Sequence, residues 1–403
     1  MATTDRDLQR AIFRLPGYRR LWAARTASQC GDVFNTVALS VLVLQLTGSA
    51  TGVSGLVLAE IVPVLLLAPL AGTLADRLPR VPVMVSADLL RAALAGVLPF
   101  ASGSVTAVYA IAFGMSIGAV LFNPAANSAL PALVEDRELI AANSGIWTAA
   151  VLSQIALAPL AGFLVLIAGP GPAFTLNAAS FLASAAILHW LPLPASDHDQ
   201  PATRTLLTAA RAGTRIIAAD PALRALASSQ FLAALSAGAT SALLVVLARD
   251  HLHTGAGGYG LLLGAIGVGA AAGPMLLIRL VRDPRSPAFV FGPYALRGLV
   301  DLCLAIVSTV PLALVALAAY GLGTSTGAVT FNSLLQARTP AHLRGRVFAS
   351  FDLIWQLGRL TSLVAGGFAA DSLGIQAVYS LGGLLLLLAA LIGWHAVRDE
   401  AAP

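Results

Sequence analysis

The chain has 403 residues, of which 58% are apolar and only 11% charged, with a mean hydropathy of +0.84. Soluble domains carry about 25% charged residues, so an ordinary water-soluble protein is excluded and lipid must solvate much of this surface. The 24 basic residues are all arginine and face 19 acids, for a net charge of +5. They are scattered between apolar runs rather than gathered on a polar domain, which argues against a nucleic-acid partner.

The first stretch, Met1 to Arg20, is polar and Arg-rich without a small-residue cleavage site, so no removable signal peptide is expected. A helix needs about 20 mainly apolar residues to cross the hydrocarbon core. Twelve such runs follow in chain order: 21–46, 52–75, 82–100, 105–130, 140–168, 173–191, 223–248, 258–281, 287–309, 311–335, 347–370 and 375–397. The polar stretch from Leu193 to Pro221 divides them six and six, and Thr205 to Ala219 within it reads as an amphipathic surface helix. The expected organisation is an N-terminal six-helix bundle over 1–192, a cytoplasmic linker over 193–221 and a C-terminal six-helix bundle over 222–403.

Arginine tests this parse independently of hydropathy. With the N-terminus in the cytoplasm, all but four of the 24 arginines fall on the cytoplasmic side; Arg249 lies opposite, and Arg91, Arg297 and Arg359 lie within spans. The positive-inside rule then places both termini in the cytoplasm of a plasma-membrane (inner-membrane) multi-pass protein. Cys30 and Cys303 sit in separate apolar runs and read as small core residues.

The halves also echo each other. Phe122-Asn123 with Pro131 recurs as Phe331-Asn332 with Pro340, and Asp88 with Arg91 is echoed by Arg297 with Asp301. Such parallel repeats build transporters whose two bundles rock around a midplane site.

The loop between the second and third runs reads Gly72-Thr-Leu-Ala-Asp76-Arg77-Leu-Pro-Arg80. A glycine allows close helix approach, and an aspartate among arginines makes charge-assisted hydrogen bonds that latch a gate. This loop resembles the Gly-x-x-x-Asp-Arg-x-x-Arg signature of the major facilitator superfamily. Arg19-Arg20-Leu21-Trp22, Gly31-Asp32, Asp88-Leu-Leu-Arg91, Phe122-Asn123-Pro124-Ala125 and Arg344-Gly345-Arg346-Val347 extend the likeness over most of the chain. They are similar to its drug and siderophore exporter branch, including macrolide exporters and the enterobactin exporter. Helix four lacks the embedded arginine of another exporter branch, and helix five keeps only Pro159 and Gly162 of the motif associated with antiport.

The resemblance implies an all-α polytopic membrane protein with twelve transmembrane helices in two six-helix pseudo-repeats. It also implies a monomer that exports drugs, antibiotics or siderophore-like small molecules by proton antiport with alternating access. Gly72, Asp76, Arg77 and Arg80 would form the gate. An importer of the same fold, and a non-transport membrane scaffold or sensor, are the competing readings. No enzyme, cofactor or metal site is indicated: the chain has no Walker loop or catalytic triad that can be placed, and its histidines are dispersed.

Ionisable groups within spans cost about 2.5–3.5 kcal/mol each on insertion scales, so those that persist need a partner or a function. Asp32 and Glu60 lie toward mid-depth of neighbouring helices and are candidates for proton coupling, with Asp88 and Arg91. Asp88–Arg91 and Arg297–Asp301 are spaced for intrahelical ion pairs. Candidates for the substrate cavity are Asn35, Asn123, Asn127, Gln154, Asn332, Trp355, Gln356 and Arg359, and Asp352 is an alternative gate group.

Overall fold

The structure, a computed structural model, describes residues 12–193, 214–280, 286–340 and 343–398, with the backbone alone over 68–77 and at 278, 280, 397 and 398. The expected surface helix and linker fall largely outside the described residues. The side chains of Gly72, Asp76 and Arg77 also lie outside them.

Among the described residues twelve long helices follow in order: α1 (Pro16–Thr47), α2 (Ala50–Arg77), α3 (Arg80–Ala101), α4 (Val105–Ala129), α5 (Leu139–Ala168), α6 (Gly171–His189), α7 (Pro221–Ala242), α8 (Ala256–Leu280), α9 (Pro287–Ile306), α10 (Val310–Arg338), α11 (Arg344–Leu373) and α12 (Ile375–Arg398). The breaks between them follow local chemistry. Asp220 precedes Pro221 and accepts from the amides of Ala222 and Leu223 at 2.8 and 3.2 Å, capping α7. Gly169 and Gly374 end α5 and α11 at φ values of 74° and 87°, a left-handed conformation that costs a glycine little.

Ten of these helices are long and apolar enough to cross a membrane. An eleventh forms if α7 is joined to its continuation Leu244–His251, which bends away by 45°. The helix left over is α11, whose apolar run is interrupted by Asp352, Gln356 and Arg359.

Two compact units divide the chain: 1–47 with 58–203, and 48–57 with 204–403. Within the first, α1 packs on α5 and α6, and α3 packs on α4 and α6. Within the second the same pairings recur six helices on: α7 packs on α11 and α12, and α9 packs on α10 and α12. Apolar contact is supplemented by side-chain donors aimed at backbone carbonyls. Tyr18 donates to Ala142 O at 3.0 Å and Trp22 to Gly145 O at 3.1 Å, tying α1 to α5; Ser229 donates to Ala389 O at 2.7 Å, tying α7 to α12. Cys30 is half-buried and Cys303 exposed, so neither is the core residue expected; in a lipid-facing helix an exposed thiol needs no aqueous contact.

Candidate functional site

In the first unit, α3 turns Arg91 into the protein interior, where it is 7% exposed. Room for it is made by Gly118 on α4: a Cβ there would stand 2.5 Å from Arg91 Cγ. The guanidinium carbon lies 3.9 Å from the centre of the Phe181 ring of α6, and Nη1 reaches the Ser28 hydroxyl at 3.4 Å. Its main partner is Asp32 on α1, whose two carboxylate oxygens both accept from Nη2 at 3.0 Å. Asp88, one turn before Arg91, stands 3.5 Å from Nη1. One cation therefore answers two acids.

The two acids differ in access. The Asp88 side chain is fully buried, whereas that of Asp32 is 40% exposed and opens onto a cavity of about 220 Å³. Glu60, Asn35, Thr36, Arg91 and Ser116 line the same cavity. Ser116 donates to the Glu60 carbonyl at 2.5 Å, holding α4 against α2. Asn35 is buried and its side-chain oxygen has no hydrogen-bond partner among the described residues. The structure thus gathers Asp32, Glu60, Arg91 and Asn35 around one space, with Asp88 behind them. Arg25 donates to Asn127 at 3.0 Å away from it; Asn123 is exposed on α4 and Gln154 half-buried on α5.

The second unit repeats the buried arginine with a different partner. Arg297 of α9 lies against Gly323 of α10, where a Cβ would stand 3.0 Å from Arg297 Cγ. Its Nη2 donates to the Tyr320 hydroxyl at 2.9 Å, and its guanidinium carbon lies 4.7 Å from the centre of that ring. The intrahelical pair expected of Arg297 and Asp301 is not formed among the described residues. Asp301, 1% exposed, instead accepts from the Ser236 hydroxyl at 3.3 Å. Arginine N-terminal to aspartate at this spacing is the weaker helical orientation, and the Tyr320 ring offers the cation a closer partner.

Beside Arg297, between α7, α9, α10 and α11, is a cavity of about 360 Å³. Among the expected cavity residues it is lined by Asn332 and Trp355, and it also exposes Asp352, Tyr294 and Gln230. Tyr294 donates to Gln230 at 2.9 Å. Gln356 and Arg359 are half-buried on α11, outside this lining, and the Gln356 side-chain oxygen is unpartnered among the described residues. Tyr294 and Tyr320 lacked any local sequence signal. They matter because helix–helix packing sets them against polar partners, Arg297 on the neighbouring helix and Gln230 on α7.

Where the end of α11 meets the start of α2, the second unit holds a compact polar cluster. Asp371, beyond the apolar run of α11, accepts from the Ala50 and Thr51 amides at 2.6 and 2.9 Å, at the start of α2. Partial burial pushes its carboxyl up, but hydrogen bonds from Thr51 and Ala50 and the Arg249 charge outweigh this and hold it below the usual carboxylate range. Arg249 pairs with Asp250 and donates to Gly48 O at 3.2 Å.

A family model described as Transmembrane secretion effector matches residues 9–401. The MFS-type transporter YfiS of Bacillus subtilis is 26% identical over 402 residues, covering 96% of this chain and 94% of the relative. The multidrug efflux pump Tap of Mycolicibacterium fortuitum is 26% identical over 387 residues, covering 92% and 93%. Among solved structures, a bacterial homologue of the iron transporter ferroportin in the inward-facing state aligns with a TM-score of 0.75 at 18% identity, over 94% of this chain and 98% of that one. The nucleoside transporter NupG aligns with a TM-score of 0.75 at 12% identity, over 94% and 99%. Both likenesses concern the fold.

Proposed function

We propose that this chain, which belongs to the transmembrane secretion effector family of major facilitator transporters, exports drug-like or siderophore-like small molecules by proton antiport. Its relatives are MFS-type transporters, and Tap among them is a multidrug efflux pump. In this reading the chain is a monomer in the inner (plasma) membrane with both termini cytoplasmic, and the bundles 1–192 and 222–403 alternate access, joined by the linker 193–221. The Gly72, Asp76, Arg77 and Arg80 loop latches the cytoplasmic side.

The observation that carries the coupling is the pair of acids on Arg91. Asp32 opens to a cavity and Asp88 does not. A proton arriving from the cavity meets Asp32 first and neutralises it. The ion pair then loses its charge assistance, and Arg91 is left with Asp88 as its remaining carboxyl neighbour. Its side chain need swing only toward the residue one turn away on its own helix. Deprotonation restores the ion pair. Substrate release and proton uptake are thereby tied to two arrangements of one arginine, with Glu60 on the shared cavity as a second acceptor.

The reading is tested with Asp32→Asn, which keeps the shape and removes the titratable group. In everted membrane vesicles energised by respiration, the variant is expected to retain folded protein at normal level and lose proton-linked substrate accumulation. Accumulation at the wild-type rate would remove Asp32 from the coupling role, and accumulation in the opposite sense would mark an importer.

A further inference from the structure

Proton antiport through Asp32 leaves the Arg91 cation, for part of each cycle, without the charge of its main partner. A buried cation left alone is costly, so something else has to hold it. The groups that face it can be taken helix by helix. α1 supplies Asp32 and the Ser28 hydroxyl, and α3 supplies Asp88. Glu60 of α2 and Ser116 of α4 stand on the shared cavity. α6 carries no charged residue before His189 at its end, and offers Phe181 instead.

The position of that ring is set by close packing. Gly31 of α1 lies against α6, where a Cβ would collide with the Ser180 hydroxyl and the Asn177 side-chain oxygen, so glycine lets α6 seat beside Asp32. Phe181 follows Ser180 and lies one turn beyond Asn177; it is fully buried and is not among the cavity walls. Its ring centre stands 3.9 Å from the guanidinium carbon, well inside the roughly 6 Å reach of an aromatic face for a cation. Gly118 confines the stem of the same side chain, since a Cβ there would meet Cγ at 2.5 Å and Cδ at 3.0 Å. Arg91 is thus held at stem and head by two groups that do not titrate.

We infer that Phe181 is a positioning residue of the coupling site, the partner that keeps Arg91 between Asp32 and Asp88 while Asp32 is neutral; this rests on the proton-antiport reading. An aromatic face has no proton to gain or lose, so it serves Arg91 before and after Asp32 titrates. It matters more after. An ionised carboxylate beside the guanidinium offsets part of the field that the ring feels, and that offset disappears when the carboxylate is neutralised.

The test needs no substrate. Phe181 is replaced by mono-, di- and trifluorinated phenylalanine, which weaken the ring face stepwise at nearly constant shape. Each is placed in the wild-type chain and in Asp32→Asn, which holds the site in its uncharged form, and the thermal midpoint of the purified full chain in detergent is read. Midpoints are expected to fall in order of fluorine number, by about 2 °C or more for the trifluoro ring in Asp32→Asn and by about half of that in wild type. Phe181→Trp should keep the wild-type midpoint more nearly than Phe181→Leu. A midpoint indifferent to fluorination, or a fall of the same size in both backgrounds, would overturn the assignment. The expected pattern in a chain that moves no protons would leave Phe181 as the partner of Arg91 and sink the antiport reading; proton-coupled flux with no such pattern would strike Phe181 alone.

Discussion

Arg91 and Arg297 are the same device in two settings. Each is a long cation buried within a helical unit, and each occupies the notch left by a glycine on the next helix, Gly118 or Gly323. The partners differ: two carboxylates and a phenyl ring for Arg91, a tyrosine for Arg297. The first arrangement can gain or lose a proton while keeping a partner for the cation, and the second is suited to a fixed role. Filling the first notch should be felt strongly. Gly118→Ala is expected to cost about 1–3 kcal/mol, as overpacking does, and to lower the thermal midpoint in detergent. Gly323→Ala, with its first contact at 3.0 Å rather than 2.5 Å, should cost less. Equal midpoints for both variants and wild type would show that neither glycine makes room for its arginine. The candidates Asp32, Asp88 and Arg91 were legible in the sequence as charges within apolar runs. Their arrangement was not, because Asp32 and Arg91 are separated by 59 positions and nothing local binds one to the other.

At the scale of elements, helix ends were well marked and helix interiors less so. Asp220-Pro221, Ser104 and the glycines Gly169 and Gly374 terminate or start helices by familiar local chemistry. The start of α2 is different, because a distant residue adds to its local cap. Ser49 accepts from the Gly52 amide at 3.0 Å, and Asp371 adds two further bonds to Ala50 and Thr51. Asp371→Ala should cost about 0.5–2 kcal/mol, the range for a lost cap. Since the folded carboxyl is held below its ordinary range, this stability is present above that range and lost as pH falls through the lowered value. The gap between wild-type and Asp371→Ala thermal midpoints should therefore stay constant from pH 7 to about pH 5 and close only in stronger acid. A gap that narrows already near neutrality would contradict the cap. This contact could not be read from sequence, since α11 itself is the helix whose apolar run is most interrupted and Asp371 reads simply as a charge at its end.

For the molecule as a whole, composition and arginine placement carried the most. An 11% charged chain with its arginines grouped in alternate connections allows few alternatives to a polytopic helical protein. The recurrence of α1–α6 and α3–α6 as α7–α12 and α9–α12 gives physical form to the sequence echoes at Phe122-Asn123 and Phe331-Asn332. What sequence could not supply was the unlike use of like positions. The second half keeps the buried arginine yet meets it with Tyr320, and its cavity turns an expected gate residue, Asp352, toward a ring of aromatics. Both outcomes depend on packing between separate helices rather than on local sequence.

Proton antiport requires that substrate and protons move in opposite directions through this chain. The direct measurement places the purified protein in sealed liposomes loaded with a pH-sensitive dye and adds an exported substrate on one side with no initial pH difference. The expected result is a proton movement opposite to the substrate, in fixed proportion to it, abolished by Asp32→Asn. Substrate flux that leaves the internal pH unchanged would contradict proton antiport.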